Sequence, residues 1–329
     1  MELLALTAPA ANRVYAAGAG VLTSAELEIL SGVPVEPVHI AGVEYLAFDA
    51  DSTPELRAAL ARHSAFLALF ARHDGLLDPL EVPAHGLFDD DLVTIPKYSG
   101  KTNEQFTRLL LNVTLAAVES PTGRRWTVLD PMCGRGTTLA HALIGGHDAA
   151  GVEIDTKSVE AMAAFWRTWL RRKRLKHTAD VSPVRREGKS IGKRFDVEVR
   201  PSKDAAASHL TVFTGDTRQS AKLYGKRRFE AIVTDAPYGV IHGSQGRGRK
   251  QRTAADLLTE SVPVWGSQLA PGGSLGISWN TLGMPREDLV AALTDAGLHV
   301  HDDGPWRRLA HRVDSSIHRD VVVGTRPAD

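Results

Sequence analysis

The stretch that decides the fold is Val128-Leu129-Asp130-Pro131-Met132-Cys133-Gly134-Arg135-Gly136-Thr137-Thr138. An apolar run typical of a strand ends in an acid, a Gly-x-Gly turn follows, and a helix is predicted to begin at Thr137. Glycines there let the backbone approach a bound cofactor closely, and the acid can bind a cationic or hydroxyl group. The complete fingerprint Gly-x-Gly-x-x-Gly is missing, because Leu139 occupies the third glycine position.

Three more β-like runs also end in an acid. The acid is Glu153 in the run Gly151–Asp155 and Asp216 in the run Val212–Asp216. In the third run it is Asp235, and the residues after it are Ala236-Pro237-Tyr238-Gly239. A carboxylate about twenty residues after the glycine turn can accept both ribose hydroxyls of an adenosine cofactor. Ligands of open α/β sheets bind at the carboxyl ends of the strands, so these acids are predicted to share one site.

Strand-like and helix-like patterns alternate from Trp126 onward. Five short β-like runs are separated mostly by helical stretches: Thr127–Leu129, Ala149–Val152, Leu210–Phe213, Glu230–Thr234 and Ser274–Ser278. This rhythm predicts an α/β fold with a doubly wound, Rossmann-like parallel sheet. The polar, basic segment Thr178–Ser208 is interpreted as an insertion or a partly disordered loop.

The first hundred residues predict a small α+β domain. We expect a strand over Met1–Leu6, a helix that opens at Ser24, a strand over Val43–Phe48, and a helix from Pro54 to about Phe70. This order suggests a ferredoxin-like fold. Residues 76–101 are interpreted as a linker, which divides the chain into an N-terminal domain with linker (1–96) and a second domain (97–329). A capping box, Thr102-x-x-Gln105, is predicted to open the helix that follows the linker.

Composition narrows the class of protein. Of the 329 residues, 43% are hydrophobic and 24% are charged, as in ordinary globular proteins, and no uncharged apolar run reaches the length of a membrane helix. The N-terminus lacks the basic start of a signal peptide. The single cysteine, Cys133, excludes a disulfide framework. We therefore expect a cytoplasmic protein with no membrane partner.

The net charge of zero hides an uneven distribution of charge. Residues 1–100 hold 5 Lys/Arg and 14 Asp/Glu, which leaves 34 and 25 in the remainder. Residues 167–203 alone hold 13 basic and 4 acidic residues. The pattern suggests a polyanionic partner such as RNA, although a solvated helix face would give the same pattern. The candidate phosphate-binding residues are Arg171, Arg172, Lys173, Arg174, Arg247, Arg249 and Lys250.

The quoted motifs resemble those of S-adenosylmethionine-dependent amino-methyltransferases. Asp130–Thr137 resembles the cofactor motif, and Asp235-Ala-Pro-Tyr-Gly239 resembles the catalytic (Asp/Asn)-Pro-Pro-Tyr motif. The likeness is strongest to the tRNA guanosine N2-methyltransferases that often carry a THUMP domain, and it covers roughly residues 97–324. The chain differs in having Ala236 where the family usually has proline. Residues 1–96 resemble only the ferredoxin-like part and are too short to include a full THUMP domain.

The resemblance also implies roles for individual residues. Asp130 would hold the amino group of the cofactor, Gly134 and Gly136 would make room for its methionine part, Glu153 would bind the ribose, and Asp216 the adenine amino group. Asp235 and the carbonyl of Ala236 would accept hydrogen bonds from the target amino group, and the base would stack on Tyr238. The family pattern adds Pro131, Cys133, Thr137, Ile154 and Thr217 to the cofactor site and Pro237 to the catalytic motif.

Several alternatives stay open at this point. A DNA adenine-N6 or cytosine-N4 methyltransferase would share the catalytic motif, but the segment between Glu153 and Leu210 leaves only about fifty residues for target recognition. A non-catalytic RNA-binding relative would be expected to have lost the cofactor motif, and a small-molecule N-methyltransferase would leave the basic clusters unexplained. Cys133 is interpreted as a packing residue, and no metal site is predicted because the 13 histidines form no His-x-x-x-His pair with a supporting carboxylate.

Overall fold

The structure is a computed structural model that describes residues 1–9, 13–96, 98, 100–119, 125–186, 189–237 and 253–328; the side chains of 13–17, 186, 189 and 190 lie outside the description. Two sheets account for the strands within these residues. The strands of the first sheet are β1 (Glu2–Thr7), β2 (Glu36–Ile40), β3 (Val43–Asp49), β4 (Phe66–His73) and β5 (Leu76–Leu80).

The first sheet has the ferredoxin-like order. Its strands lie in the order β2-β3-β1-β4-β5, and all neighbours are antiparallel. Helix α1 (Arg13–Ser31) connects β1 to β2, and α2 (Pro54–Arg62) connects β3 to β4. The β-α-β-β-α-β arrangement of β1–β4 is the ferredoxin-like motif, so that prediction is confirmed. Strand β5 adds to the edge of this sheet, so the prediction that the linker begins at residue 76 is wrong.

The second sheet has the doubly wound order. Its strands lie in the order β13-β15-β12-β11-β6-β7-β10-β9-β8, and β14 pairs with β15. Its central strands, β10-β7-β6-β11-β12, are parallel and give the Rossmann order 3-2-1-4-5. The ten strands of this second sheet are β6 (Thr127–Asp130), β7 (Asp148–Glu153), β8 (Lys176–Arg186), β9 (Lys189–Arg200), β10 (Ser208–Thr214), β11 (Phe229–Asp235), β12 (Leu269–Asn280), β13 (His299–His301), β14 (His311–Arg312) and β15 (His318–Thr325).

Helices cover both faces of this sheet, as the alternating pattern predicts. They are α3 (Asp91–Thr94), α4 (Glu104–Ala116), α5 (Thr137–Ile144), α6 (Thr156–Arg172), α7 (Ser220–Tyr224), α8 (Ala254–Gln268) and α9 (Arg286–Asp295), with 3-10 turns at Thr217–Gln219 and Gly304–Arg308. Two apolar clusters, centred on Trp166 and Trp265, are buried between helices and sheet. A third core, which includes Leu3 and Phe48, belongs to the first sheet.

The described residues of Thr178–Ser208 lie largely in strands, so the interpretation as a partly disordered loop is wrong, whereas the interpretation as an insertion stays open. Strands β8 and β9 form a long antiparallel hairpin that extends the parallel sheet at the β10 edge. The side chains of Phe195, Val197 and Val199 are buried and alternate with partly exposed residues, which is the period of a half-buried strand. Pro183 lies on the outermost strand, where a proline removes no hydrogen bond to a further strand.

The N-terminal helices also differ from the prediction. Helix α1 begins at Arg13, so Ser24 lies inside it rather than at its start. Gly18 lies in an early turn of this helix, where it packs closely against His311. A Cβ at this position would lie only 3.2 Å from Cβ of His311. Helix α2 ends at Arg62 instead of about Phe70, and the apolar residues that follow form β4.

Polar contacts join the two parts of the chain. Glu26 of α1 is fully buried and accepts hydrogen bonds from Nδ2 of Asn112 in α4, at 2.7 Å, and from the backbone N–H of Ser64, at 2.9 Å. Arg108 of α4 donates to the carbonyls of Ala61 and Arg62. Helix α4 therefore links the first sheet to the second. Within the described residues, no helix combines the length and apolar character needed to cross a membrane.

Candidate cofactor and substrate site

The four predicted acids lie at one edge of the sheet. Asp130 ends β6, Glu153 ends β7, Asp216 follows β10, and Asp235 ends β11. These strands are neighbours in the order β10-β7-β6-β11 and run in the same direction. The carboxylates therefore meet along the carboxyl edge, where the switch point of a doubly wound sheet forms a ligand crevice.

The glycine turn follows β6 and is tied to β7. The N–H of Cys133 donates to the carbonyl of Val152 at 3.0 Å, and the N–H of Gly136 donates to the carbonyl of Cys133 at 2.7 Å. Gly134 and Gly136 have φ angles of 51° and 85°, a region that suits glycine best. A Cβ on Gly134 would have no heavy atom within 4 Å, whereas one on Gly136 would lie 3.1 Å from Cε of Met162. Gly134 thus faces open space, and Gly136 faces the protein.

Asp130 is a buried acid, with 3% of its surface exposed. Its Oδ1 accepts a hydrogen bond from the N–H of Met132 at 3.1 Å. Burial raises the pKa of Asp130 to about 7; the hydrogen bond from the N–H of Met132 opposes this shift, and the charge of Glu153 adds to it. Near neutral pH both the protonated and the charged form of this carboxyl group are therefore populated, and a nearby cation would favour the charged form.

Glu153 is held by the backbone around it. Its Oε2 accepts from the N–H of Gly134 at 2.8 Å, and its Oε1 accepts from the N–H of Asp155 at 2.7 Å. Burial raises its pKa, and these two backbone hydrogen bonds oppose the shift. A carboxylate has about four lone-pair sites, so two remain for hydroxyl groups of a ligand. Glu153 therefore fixes the glycine turn and can still bind a diol.

The other predicted cofactor residues differ in their surroundings. Pro131 and Cys133 are buried, and a Cβ on Gly151 would lie 2.8 Å from Sγ of Cys133, so the thiol packs against β7. Burial raises the pKa of this thiol well above its ordinary value, which makes it a poor nucleophile. Ile154 is 63% exposed beside Glu153 and presents an apolar side chain at the crevice.

Asp216 and Thr217 are already engaged by side chains. Arg218 forms an ion pair with Asp216, lowers the pKa of that carboxyl group, and bridges it to Glu260. The hydroxyl of Thr217 accepts a hydrogen bond from Nε1 of Trp265 at 3.0 Å in the protein interior. Asp216 would therefore have to share its carboxylate with Arg218 to bind a ligand, and Thr217 would contact one through its backbone.

Asp235 is held by two residues that the sequence analysis did not assign to the site. Oγ1 of Thr102 donates to Oδ2 of Asp235 at 2.6 Å, and the guanidinium of Arg319 lies 3.8 Å from the same oxygen and 4.3 Å from the ring centre of Phe106. The capping-box prediction is wrong by one residue, because Asn103 caps α4 and leaves the hydroxyl of Thr102 available for Asp235.

The position of Arg319 explains how it could have been found from the sequence. It lies at the start of β15, which runs antiparallel to β12. A strand that runs against the parallel strands begins at the edge where they end, so its first residues reach the site.

The residues after Asp235 are described only in part. Ala236 is buried, and its N–H donates to the carbonyl of Ser278 at 2.8 Å, a bond that proline at this position could not form. Pro237 is exposed. Tyr238 lies outside the described residues, as do Arg247, Arg249 and Lys250, so their predicted roles stay predictions.

Another tyrosine, Tyr98 from the linker, covers the glycine turn. Its hydroxyl lies 3.1 Å from Oγ1 of Thr137, and the guanidinium of Arg135 lies 4.7 Å from the centre of its ring. Burial raises the pKa of Tyr98, and the hydrogen bond with Thr137 opposes that shift. Nothing in the Pro- and Gly-rich linker sequence marks Tyr98 as a site residue.

The predicted basic patch Arg171–Arg174 lies away from these acids. Helix α6 begins at the carboxyl edge and returns to the amino edge over 17 residues, a length of about 25 Å, so the patch at its end lies on the opposite side. Lys173 contacts Asp89 and Asp91, each at 2.6 Å. Arg171, Arg172 and Arg174 are exposed. Among the described residues, no group of three or more His, Cys, Asp or Glu side chains could hold a metal ion.

The fold and this edge define the class of protein: a Rossmann-like domain with a glycine turn and strand-terminal acids. No family model matches the chain, and no curated protein matches it. A TehB-like SAM-dependent methyltransferase from Corynebacterium glutamicum is 16% identical over 64% of this chain and 85% of its own, with a TM-score of 0.36. Precorrin-6y C5,15-methyltransferase from Geobacter metallireducens is 12% identical over 75% of this chain and 99% of its own, with a TM-score of 0.40. TrmN from Thermus thermophilus is 14% identical over 89% of this chain and 60% of its own, with a TM-score of 0.41.

Proposed function

We propose that the protein transfers a methyl group from S-adenosylmethionine to an exocyclic amino group of a nucleobase, guanine N2 in tRNA. The observation that carries this proposal is the placement of Asp235 at the end of β11, next to the glycine turn that follows β6. A methyl donor over the turn and an amino group at Asp235 would be neighbours at one edge of the sheet.

The residues of the turn fit this cofactor. The open space in front of Gly134 leaves room for a ligand against the backbone. Glu153 has lone pairs left for the ribose hydroxyls, Ile154 offers an apolar surface for the adenine ring, and Asp130 offers a carboxylate for the ammonium group. S-adenosylmethionine, once bound, supplies an electrophilic methyl group on a sulfonium.

The catalytic residues suit a weak nucleophile. The lone pair of an exocyclic amino nitrogen is delocalised into the base, so the nitrogen must be aimed and its N–H groups must be hydrogen bonded. Oδ1 of Asp235 and the carbonyl of Ala236 are acceptors for these two N–H groups, while Thr102 fixes Oδ2. The lone pair forms the new N–CH3 bond as the S–CH3 bond breaks, and the amino group then loses one proton to Asp235 or water.

The decisive experiment is methyl transfer in vitro followed by nucleoside mass spectrometry. Protein and S-adenosylmethionine are incubated with tRNA from cells that lack the gene, with duplex DNA in a parallel reaction. We expect N2-methylguanosine in the tRNA and no methylated base in the DNA. Asp235→Ala is the matched control, since it should bind the cofactor with unchanged affinity and transfer no methyl group. Methyladenine or methylcytosine in the DNA, with unmodified tRNA, would overturn the assignment of the substrate.

A further inference from the structure

The turn that follows β12 lies beside Asp235, on the side away from the glycine turn. Strand β11, which carries Asp235, lies between β6, which leads into the glycine turn, and β12. Asp235 pairs in register with Ser278, and β12 ends two residues later at Asn280. A methyl donor over the glycine turn would therefore leave the β12 side of Asp235 to the rest of the substrate.

Leu282 presents a large apolar side chain in this turn. It is 67% exposed. At about 3.3 Å per residue, the three residues from Ser278 to Thr281 carry the chain about 10 Å beyond the paired end of β11. The apolar surface of Leu282 thus stands past the carboxyl edge of the sheet, one strand from the candidate catalytic acid.

Hydrogen bonds on both sides fix the backbone of the turn. The N–H of Gly283 donates to the carbonyl of Asn280 at 3.0 Å, and the N–H of Thr281 donates to the carbonyl of His318 at 2.8 Å. Oδ1 of Asn280 accepts from the N–H of His318 at 3.0 Å and from the N–H of Leu282 at 3.3 Å. Leu282 is therefore held in place with respect to both β12 and β15.

A cation lies next to this turn. Arg312 is exposed and pairs in register with His318. Its Nε donates to the carbonyl of Asp314 at 3.0 Å. Hydrogen bonds from Ser316 and, more weakly, the charge of Arg312 lower the pKa of the Asp314 carboxyl group. Within the part of the chain that the structure describes, Arg312 forms no ion pair, so its terminal nitrogens can bind a phosphate group.

We propose that Leu282 enters the base stack of a folded RNA as the target base turns out into the site at Asp235, while Arg312 binds the phosphate backbone beside the gap. The inference rests on the proposed function and deepens it, because it makes a stacked nucleotide the substrate. An enzyme that acts on a base inside a helix must first turn that base out of the stack. Leucine is among the apolar side chains that proteins insert between base steps.

Exposure alone does not distinguish Leu282, since single exposed leucines are common on protein surfaces. Leu76 at the start of β5 is 70% exposed and belongs to the other sheet. What distinguishes Leu282 is the combination of an anchored turn, a neighbouring cation and a position beside Asp235. Leu76 therefore serves as the matched control for the loss of an exposed leucine.

The first measurement is kcat/KM for methylation of tRNA. Leu282→Ala should lower it about tenfold, because the opened base step is no longer filled. Leu282→Met keeps a long apolar side chain and should recover most of the wild-type value, and Leu76→Ala should match the wild type. Arg312→Gln should flatten the slope of log K against log salt for tRNA binding by about 0.7–0.9, the effect of one phosphate contact.

The second measurement reports on the stack itself. Once mass spectrometry has located the methylated guanosine, the tRNA is prepared with 2-aminopurine as its neighbour, because this base fluoresces more strongly when it is unstacked. With S-adenosylhomocysteine in place of the methyl donor, the wild type should raise the fluorescence on binding. Leu282→Ala should leave it near that of the free RNA.

The outcomes separate this inference from the proposed function. If Leu282→Ala retains the wild-type kcat/KM and the wild-type rise in fluorescence, or if Leu76→Ala is equally impaired, Leu282 has no role in opening the stack. A loss of S-adenosylmethionine affinity in Leu282→Ala would also overturn the inference, whereas wild-type affinity would show that the variant is folded. A wild-type protein that leaves tRNA unmethylated contradicts the proposed function itself.

Discussion

We expect the buried carboxyl group of Asp130 to make cofactor binding depend on pH. Its pKa is raised to about 7 by burial, so below pH 7 the free protein carries a proton at this position. If the ammonium group of the cofactor requires the carboxylate, that proton must leave on binding. We therefore expect affinity to fall up to tenfold per pH unit below 7 and to level off above it, as calorimetry between pH 6 and 7.5 would measure.

Asp130→Asn is the control for this effect, because it keeps the shape of the side chain and removes the titrating group. It should bind more weakly at pH 7.5 and lose the dependence below pH 7. The same slope in wild type and variant would assign the proton to another group and contradict the role of Asp130.

The hydroxyl of Thr102 is a positioning group for Asp235. Its hydrogen bond, 2.6 Å long, fixes one carboxylate oxygen. Thr102→Val keeps the branched shape and removes the donor, so we expect kcat to fall about tenfold, equivalent to about 1.4 kcal/mol, with cofactor affinity unchanged. Thr102→Ser restores the hydroxyl and should recover most of the activity. An equally slow serine variant would show that shape, not the hydrogen bond, matters at this position.

At the scale of the element, we expect the two glycines of the turn to affect cofactor binding and stability differently. Both Gly134 and Gly136 have positive φ angles, so alanine at either position costs about 1–2 kcal/mol of backbone strain. Only Gly136→Ala adds contacts with Met162, at 3.1 and 3.2 Å, whereas Gly134→Ala points into open space. Gly136→Ala should therefore lower the free energy of unfolding more, and Gly134→Ala should weaken cofactor binding more. Urea denaturation and calorimetry on both variants measure the two effects, and the reverse ranking would contradict the orientation of the turn.

The sequence predicts this element well because the physics of the turn is local. A strand that ends in Asp130 and glycines at two strained positions are visible in consecutive residues, and the acids of neighbouring strands follow from the parallel arrangement. Contacts between distant segments are not visible in this way. Thr102 reaches Asp235 across 133 residues, and Tyr98 reaches Thr137 across 39. Those side chains enter the site only because α4 and the linker pack against the sheet.

The boundaries that were predicted wrongly have similar causes. Helix α1 contains Gly18 and Gly20, which lower helix propensity, and the tight contact of Gly18 with His311 is a tertiary effect. The sequence of the β8–β9 hairpin resembles that of a loop because the outer strand of a sheet is largely solvated and polar. The alternation of Phe195, Val197 and Val199 is the signal that could have identified it.

At the scale of the whole molecule, Asn112 couples the two sheets. Its Nδ2 donates to Oε1 of Glu26 at 2.7 Å and to the carbonyl of Arg62 at 2.6 Å. Asn112→Ala leaves two buried acceptors with one donor fewer, so it should lower the free energy of unfolding by about 2 kcal/mol in urea denaturation. Asn112→Asp removes the same donor and adds a second acid beside Glu26, and should cost more. Wild-type stability in both variants would show that this contact does not hold the domains together.

Buried histidines should make the whole protein acid-sensitive. Burial lowers the pKa of His85, His147 and His311 to about 4 and that of His141 to about 3. Between these values and 6.5 the unfolded chain binds more protons than the folded one, so stability is complete above pH 6.5 and falls as pH drops toward 4. The raised pKa of Asp130 acts in the opposite direction below pH 7, but it is one group against four.

We expect each histidine to remove on the order of 1–2 kcal/mol between pH 7 and pH 5, as urea midpoints at the two pH values would measure. His85, His141 and His147 line one cleft with Arg62 and Arg108, so protonation there also adds charge beside two cations at the junction of the two sheets. His141→Gln should reduce the pH dependence, and the exposed His209→Gln should leave it unchanged. A midpoint that rises as the pH falls from 7 to 5 would mean that Asp130 outweighs the histidines.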